Sequence, residues 1–97
     1  MQEKLKEIRV EEYLKKQIRK AGGSCYKWTS PGNAGVPDRI VMMPEGRIAF
    51  VETKATSKKP RPLQVVQMNI LKNLGFRVEV LDSYDAVDRF VAEMCNG

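Results

Sequence analysis

Two apolar runs, RIVMM and RIAFVETK, flank the three residues Pro44-Glu45-Gly46, and that pattern constrains the chain more than any other. Runs rich in β-branched and aromatic residues, bounded by turn formers, read as strands, and a short turn between them makes an antiparallel hairpin. The strands are predicted over Arg39 to Met43 and Arg47 to Lys54. A hairpin centred on Glu45 pairs residues whose numbers sum to 90, so Asp38 falls opposite Glu52. Directly opposed side chains in such a ladder stand roughly 4.5–5.5 Å apart at Cβ. Lys54 lies two residues beyond Glu52 and shares its face, because strand side chains alternate. Two carboxylates and an ammonium thus meet on one patch of the chain's most apolar stretch.

Opposed carboxylates repel unless a cation sits between them, and a buried charge is costly unless it is paired or holds a metal. The sequence has no histidine, and its two cysteines, Cys25 and Cys95, form no CxxC pair. Ser-His-Asp and Cys-His catalysis and His-ligated zinc are therefore excluded. A metal here would be a hard cation, Mg2+ or Mn2+, held by oxygens. The patch suits phosphodiester hydrolysis, in which a cation on Asp38 and Glu52 polarises the phosphate and lowers the pKa of a bound water. Lys54 would orient or deprotonate that water and stabilise charge on the phosphorane. The competing reading of the same residues is structural: Asp38 caps the turn after Pro37, and Glu52 and Lys54 form an exposed cross-strand salt-bridge network.

Around the hairpin, Val10, Leu14, Ile18 and Ala21 repeat at helical spacing and stop at Gly22-Gly23, which predicts a first helix. CYKWT reads as a short strand and SPGNAGVP as a loop. A basic loop, ATSKKPRP, leads to a helix opened by Pro62, with Leu63, Val66, Ile70, Leu71 and Leu74 as its apolar stripe and Gly75 as its end. FRVEVL is a fourth strand, and Ser83 caps a last amphipathic helix. The order is α-β-β-β-α-β-α, an α/β fold with a mixed central sheet flanked by helices. The 97 residues fit one domain, residues 1–97.

Charge narrows the partner. Residues 1–77 hold sixteen basic against seven acidic side chains, whereas residues 78–97 hold one against five, leaving a net +5. A basic body points to nucleic acid ahead of a membrane surface. No apolar run approaches the length of a membrane span, and the N-terminal MQEKLKEIRV has no apolar core for a secretory signal. The two lone thiols fit a reducing, cytoplasmic setting.

Pro37-Asp38, followed after thirteen residues by Glu52-Thr53-Lys54, resembles the PD-(D/E)XK nuclease signature. The wider stretch YKWTSPGNAGVPDRIVMMPEGRIAFVETKATSKKPRPLQ, with GFRVEVLDS after it, is similar to the VRR-NUC (virus-type replication-repair nuclease) family over nearly the whole chain. That resemblance implies a restriction-endonuclease-like core and an Mg2+- or Mn2+-dependent endonuclease, with Asp38, Glu52 and the carbonyl of Thr53 on the metal. It also implies a glutamate from the first helix, where Glu11 lies on the edge of the buried stripe and Glu12 points away. The family's later glutamine matches Gln64, with Gln67 one turn on. Lys58, Lys59 and Arg61 are candidates for phosphate contacts, with Lys27 and Arg39 flanking the site; Tyr26 and Trp28 would stack on bases or join the core.

Similar stand-alone nucleases suggest a bacterial or phage source, branched DNA such as four-way (Holliday) junctions as substrate, and a homodimer with two sites. The apolar last helix, with Phe90 and Met94, is one candidate interface and equally a core element. A restriction-like duplex endonuclease and a catalytically silent nucleic-acid-binding module are the rival readings.

Overall fold

A computed structural model describes residues 4–96. Helix α1 (Glu7–Lys20) is followed by strands β1 (Ser24–Lys27), β2 (Arg39–Met43) and β3 (Arg47–Thr53), helix α2 (Pro62–Asn73), strand β4 (Arg77–Leu81) and helix α3 (Tyr84–Asn96), in the predicted order. The strands form one sheet in the order β1-β2-β3-β4. The first three are antiparallel, and β4 joins β3 in parallel by way of α2, as a parallel pair requires a crossover. Among the described residues no helix is long and apolar enough to cross a membrane.

The hairpin register is the predicted one, from Arg39 opposite Val51 to Met43 opposite Arg47. Its turn is a short 3-10 segment, Pro44–Gly46, with Glu45 in the left-handed region at φ 69°. Strand alternation then divides the sheet. Val41, Met43, Ala49, Val51 and Leu81 face α1 and α3 and form the main core with Val10, Leu14, Ile18, Val87, Phe90 and Met94. Phe90 and Met94 are only 2% and 4% exposed. They belong to this core, so the last helix does not offer them as an interface.

The other face carries a smaller cluster, in which Phe50, Met68 and Val78 are joined by Trp28, Ile40 and Leu71 under α2. Here the structure corrects the sequence reading of α2. Of the expected stripe only Leu71 packs against the sheet; Leu63, Val66, Ile70 and Leu74 are 51%, 52%, 49% and 69% exposed. The inward face is instead Gln64 and Met68. Hydrophobic periodicity identified a helix but misassigned its buried side, because a polar residue takes the inward position above β3.

Candidate functional site

The ladder delivers Asp38 next to Glu52. Asp38 directly precedes β2, its carbonyl accepts the Trp28 N–H at 2.7 Å, and its own N–H donates to Glu52 Oε1 at 3.3 Å. Pro37 before it is fully buried. The approach to Asp38 is fixed by Gly35, at φ +91°, where a Cβ would meet the backbone of Leu63 at 2.9 Å. Only glycine allows both that backbone conformation and that approach, so the Asp38 loop rests on the first turn of α2.

Glu52 is 1% exposed and lies on the α2 face, since its neighbours Val51 and Thr53 alternate to the other side. Its Oε2 accepts from Gln64 Nε2 at 3.0 Å and pairs with Lys54 Nζ at 3.1 Å. Gln64 is the third residue of α2, and its Oε1 reaches back to accept the Arg61 N–H at 2.9 Å, half of a capping box. Burial pushes the Glu52 carboxyl above the ordinary range; the Lys54 hydrogen bond opposes this, and the nearby Asp38 charge adds to it. The structure thus brings together Asp38, Glu52, Lys54 and Gln64 at one end of the sheet. The exposed salt-bridge reading fails for Glu52, which is enclosed.

It does not bring Glu11 to this group. Arg39 opposes Val51, so its side chain is on the α1 face, and there Arg39 Nη2 pairs with Glu11 at 2.9 Å. Glu11 is half-buried and Glu12 exposed, as helix geometry predicts, but the partner of Glu11 is Arg39 on the far side of the sheet. Arg39 is itself only 8% exposed and has no surface to give to DNA. Two buried polar atoms on this face, Arg39 Nε and Thr53 Oγ1, have no hydrogen-bond partner among the described residues.

Lys58, Lys59 and Arg61 are exposed along the loop between Lys54 and α2, and Lys27 is exposed on β1. Trp28 packs on Phe50 with ring centroids 5.0 Å apart and belongs to the core, whereas Tyr26 is 61% exposed. Gln67, one turn beyond Gln64, is half-buried and makes no hydrogen bond to the carboxylates among the described residues.

All donors available at Asp38 and Glu52 are oxygens, and no group of three or more His, Cys, Asp or Glu side chains that could hold a metal occurs among the described residues. Such a set fits Mg2+, which is bound through one or two carboxylates and keeps waters and substrate phosphates for the remaining positions. It does not fit a metal that needs an all-protein cage.

Comparison with known proteins gives three concordant matches. The family model of the VRR-NUC domain matches residues 2–85. A protein of Acyrthosiphon pisum secondary endosymbiont phage 1, named "Putative nuclease p44", is 48% identical over 81 residues, 84% of this chain and 87% of that one. A solved VRR-NUC domain superposes with a TM-score of 0.85 at 35% identity, covering 91% of this chain and 96% of that one.

Proposed function

The chain belongs to the VRR-NUC family, and from that premise we propose that it is a divalent-metal-dependent, structure-selective DNA endonuclease acting on branched DNA such as four-way junctions. The coarser part of this reading, a nuclease that hydrolyses nucleic acid, follows from the family and its phage relative. The observation that supports metal-dependent hydrolysis is the enclosed Glu52 carboxylate, set beside Asp38 and held by Lys54 and Gln64. A surface ion pair has no need of burial, and a binding module has no need of two adjacent carboxylates.

Asp38, Glu52 and the carbonyl of Thr53 would hold the cation. Mg2+ or Mn2+ bound there supplies a Lewis acid on the phosphate and a water of lowered pKa. Lys54 orients the attacking water and stabilises the negative charge that builds on the phosphorane oxygens. Gln64 keeps the Glu52 carboxylate turned toward Asp38 and ties it to the backbone at Arg61. Glu11 would join the cation, directly or through water, only after leaving Arg39. Lys58, Lys59 and Arg61 grip phosphates without reading sequence.

A homodimer completes the reading, and the face of α2 supports it. Leu63, Val66, Ile70 and Leu74 are about half exposed or more, and together with Phe76 they offer roughly 400 Å2 of apolar surface, close to the apolar share of one side of a standard interface. Lys72 is the only charged residue among the twelve of α2. Two copies of a chain with net charge +5 repel over most of their surface, and this near-neutral face is where they can meet. An isologous contact there sets the two Gln64-Glu52 sites on either side of the two-fold axis, one for each strand of a junction.

The test is a cleavage panel of nicked, flapped, four-way and plain duplex DNA, with and without Mg2+, using Asp38→Ala as control. The expected result is Mg2+-dependent cutting of branched substrates, with Asp38→Ala binding but not cutting. Equal cleavage of plain duplex would favour the restriction-like reading, and binding without cleavage of any substrate would favour the silent module.

A further inference from the structure

A second basic feature lies beside the site, on a segment outside every motif so far considered. Residues 4–6 precede α1 and are stitched to the loop that leaves the Lys54 strand. Leu5 N–H donates to Thr56 Oγ1 at 2.7 Å, and Thr56 N–H donates back to the Leu5 carbonyl at 3.0 Å. The same loop is tied to the end of β4, where Thr56 Oγ1 donates to the Asp82 carbonyl at 3.2 Å and Ser57 N–H to Asp82 Oδ2 at 3.1 Å. These bonds hold open a cleft of about 370 Å3 lined by Lys4, Leu5, Lys6, Arg9 and Tyr84.

Three of those five residues are cations and none is an acid. Lys4, Lys6 and Arg9 are exposed, and among the described residues none has a carboxylate within ion-pair distance. Tyr84 is fixed against Tyr13, with ring centroids 4.4 Å apart, and Tyr13 is held by its hydroxyl donating to Asp88 Oδ1 at 2.7 Å. The cleft therefore has one wall held by aromatic packing and three charges without an ion-pair partner among the described residues. Acids of α3 stand behind that wall: Asp88 takes the Tyr13 hydroxyl and Asp85 follows Tyr84 in sequence.

The location gives the cleft a purpose. Lys54 and Thr56 are two residues apart, so their backbones are separated by at most ~7 Å, and one hydrogen bond then leads to Leu5. Allowing for the reach of the side chains, the cations lie within about 20 Å of Lys54, or up to roughly six nucleotide steps at ~3.4 Å each. That range suits the flank of a duplex whose scissile phosphate is at Asp38 and Glu52.

We propose that the Lys4-Lys6-Arg9 cleft is a second phosphate-binding subsite, which holds the DNA backbone a few nucleotides from the cut, with Tyr84 as its wall. This rests on the nuclease reading of the neighbouring carboxylates. The cations neutralise phosphates independently of sequence, and together with Lys58, Lys59 and Arg61 they extend the basic track around the active end of the sheet.

The experiment measures DNA affinity against salt for a four-way junction by fluorescence anisotropy in Ca2+, comparing two variants that each remove three positive charges. Lys4→Ala/Lys6→Ala/Arg9→Ala should flatten the salt slope by up to ~2.7 units, at ~0.9 per phosphate. Lys16→Ala/Arg19→Ala/Lys20→Ala, at the far end of α1, should keep the wild-type slope. Equal slopes in both variants, whether lowered or unchanged, overturn the proposal. Should the first variant fail to fold, Lys6→Gln and Arg9→Gln singly should each lower the slope by about 0.9, and no change in either would be equally decisive against the cleft. Cleavage by the wild-type protein in Mg2+ is scored separately. A wild type that binds with the full slope but never cuts refutes the nuclease reading and leaves the cleft standing.

Discussion

Gln64→Leu tests the architecture of the site through stability rather than turnover. Leucine keeps comparable volume while removing both polar functions of the side chain. The Arg61 N–H that Gln64 Oε1 accepts belongs to an exposed residue and can turn to water, so its loss costs little. The Nε2 donor is different: it serves an enclosed carboxylate at 3.0 Å, and Glu52 has no access to solvent to replace it. Hydrogen bonds to charged groups contribute roughly 1.5–3 kcal/mol, so the loss should be about 2 kcal/mol while Glu52 is ionised. At acid pH the carboxyl is neutral and the loss falls to about 1 kcal/mol. For a domain of this size a kilocalorie moves Tm by roughly 4–8 °C, which predicts a drop of about 8–16 °C at pH 8 and about half that at pH 4. Thermal melts followed by circular dichroism in EDTA at the two pH values decide it. An equal loss at both would mean that Gln64 does not act through the Glu52 charge, and no loss at pH 8 would make it a surface residue after all.

Lys54→Ala should abolish cleavage while DNA affinity, measured by anisotropy, stays within a few-fold of wild type; a variant that still cuts at the normal rate would make the lysine structural. Val66→Glu/Leu74→Glu should halve the mass seen by light scattering and remove paired cuts in a four-way junction, and an unchanged dimer would move the interface off α2. The metal-free protein should lose stability as pH rises. Glu52 is held above its ordinary value of 4.5 by burial, so the folded state binds its proton more tightly. That contribution is full below the unfolded pKa and disappears as pH climbs through the raised folded one. Glu52→Gln should flatten this portion of the Tm–pH curve, and added Mg2+ should restore the wild-type melting temperature at high pH; identical pH curves for the two proteins would contradict the account.

The hairpin was legible because its register depends only on local chemistry. A turn former at Glu45-Gly46 between two apolar runs leaves one pairing that keeps Val41, Ala49 and Val51 on a common face, and with it Asp38 beside Glu52. Gln64 was singled out through the family resemblance, and the structure places it inward in the first turn of α2, bonded to Glu52. What could not be read was the rotation of α2. A stripe of Leu63, Val66, Ile70 and Leu74 has the periodicity of a buried face, yet the face that packs is the one carrying Gln64. Periodicity reports that apolar residues share a side, not whether that side meets the sheet or another chain. Glu11 shows a related limit. Its position on the helix edge was predictable, but its pairing with Arg39 depends on which face Arg39 takes across the sheet from Glu52, a tertiary fact. The Lys4-Lys6-Arg9 cleft carried no sequence signal beyond charge, since it exists only because residues 4–6 are stitched to the loop at Thr56.

These placements share one cause. In the proposed mechanism a dry Glu52 attracts its cation more strongly than a hydrated one would, but drying a carboxylate beside Asp38 is unfavourable in the folded protein. The chain offsets this with one ammonium, one side-chain amide and one backbone N–H, all aimed at Glu52. Supplying the amide requires α2 to present Gln64 inward, and a helix with Gln64 inward must present Leu63, Val66, Ile70 and Leu74 outward. The exposed apolar stripe is therefore a geometric consequence of satisfying the buried carboxylate. A lone chain leaves that stripe in water, at an unfavourable ~25 cal/mol per Å2, and in the proposed dimer a second copy would remove the penalty. The requirement that dries the candidate site thus also supplies the surface by which, in the proposed dimer, two such sites would pair.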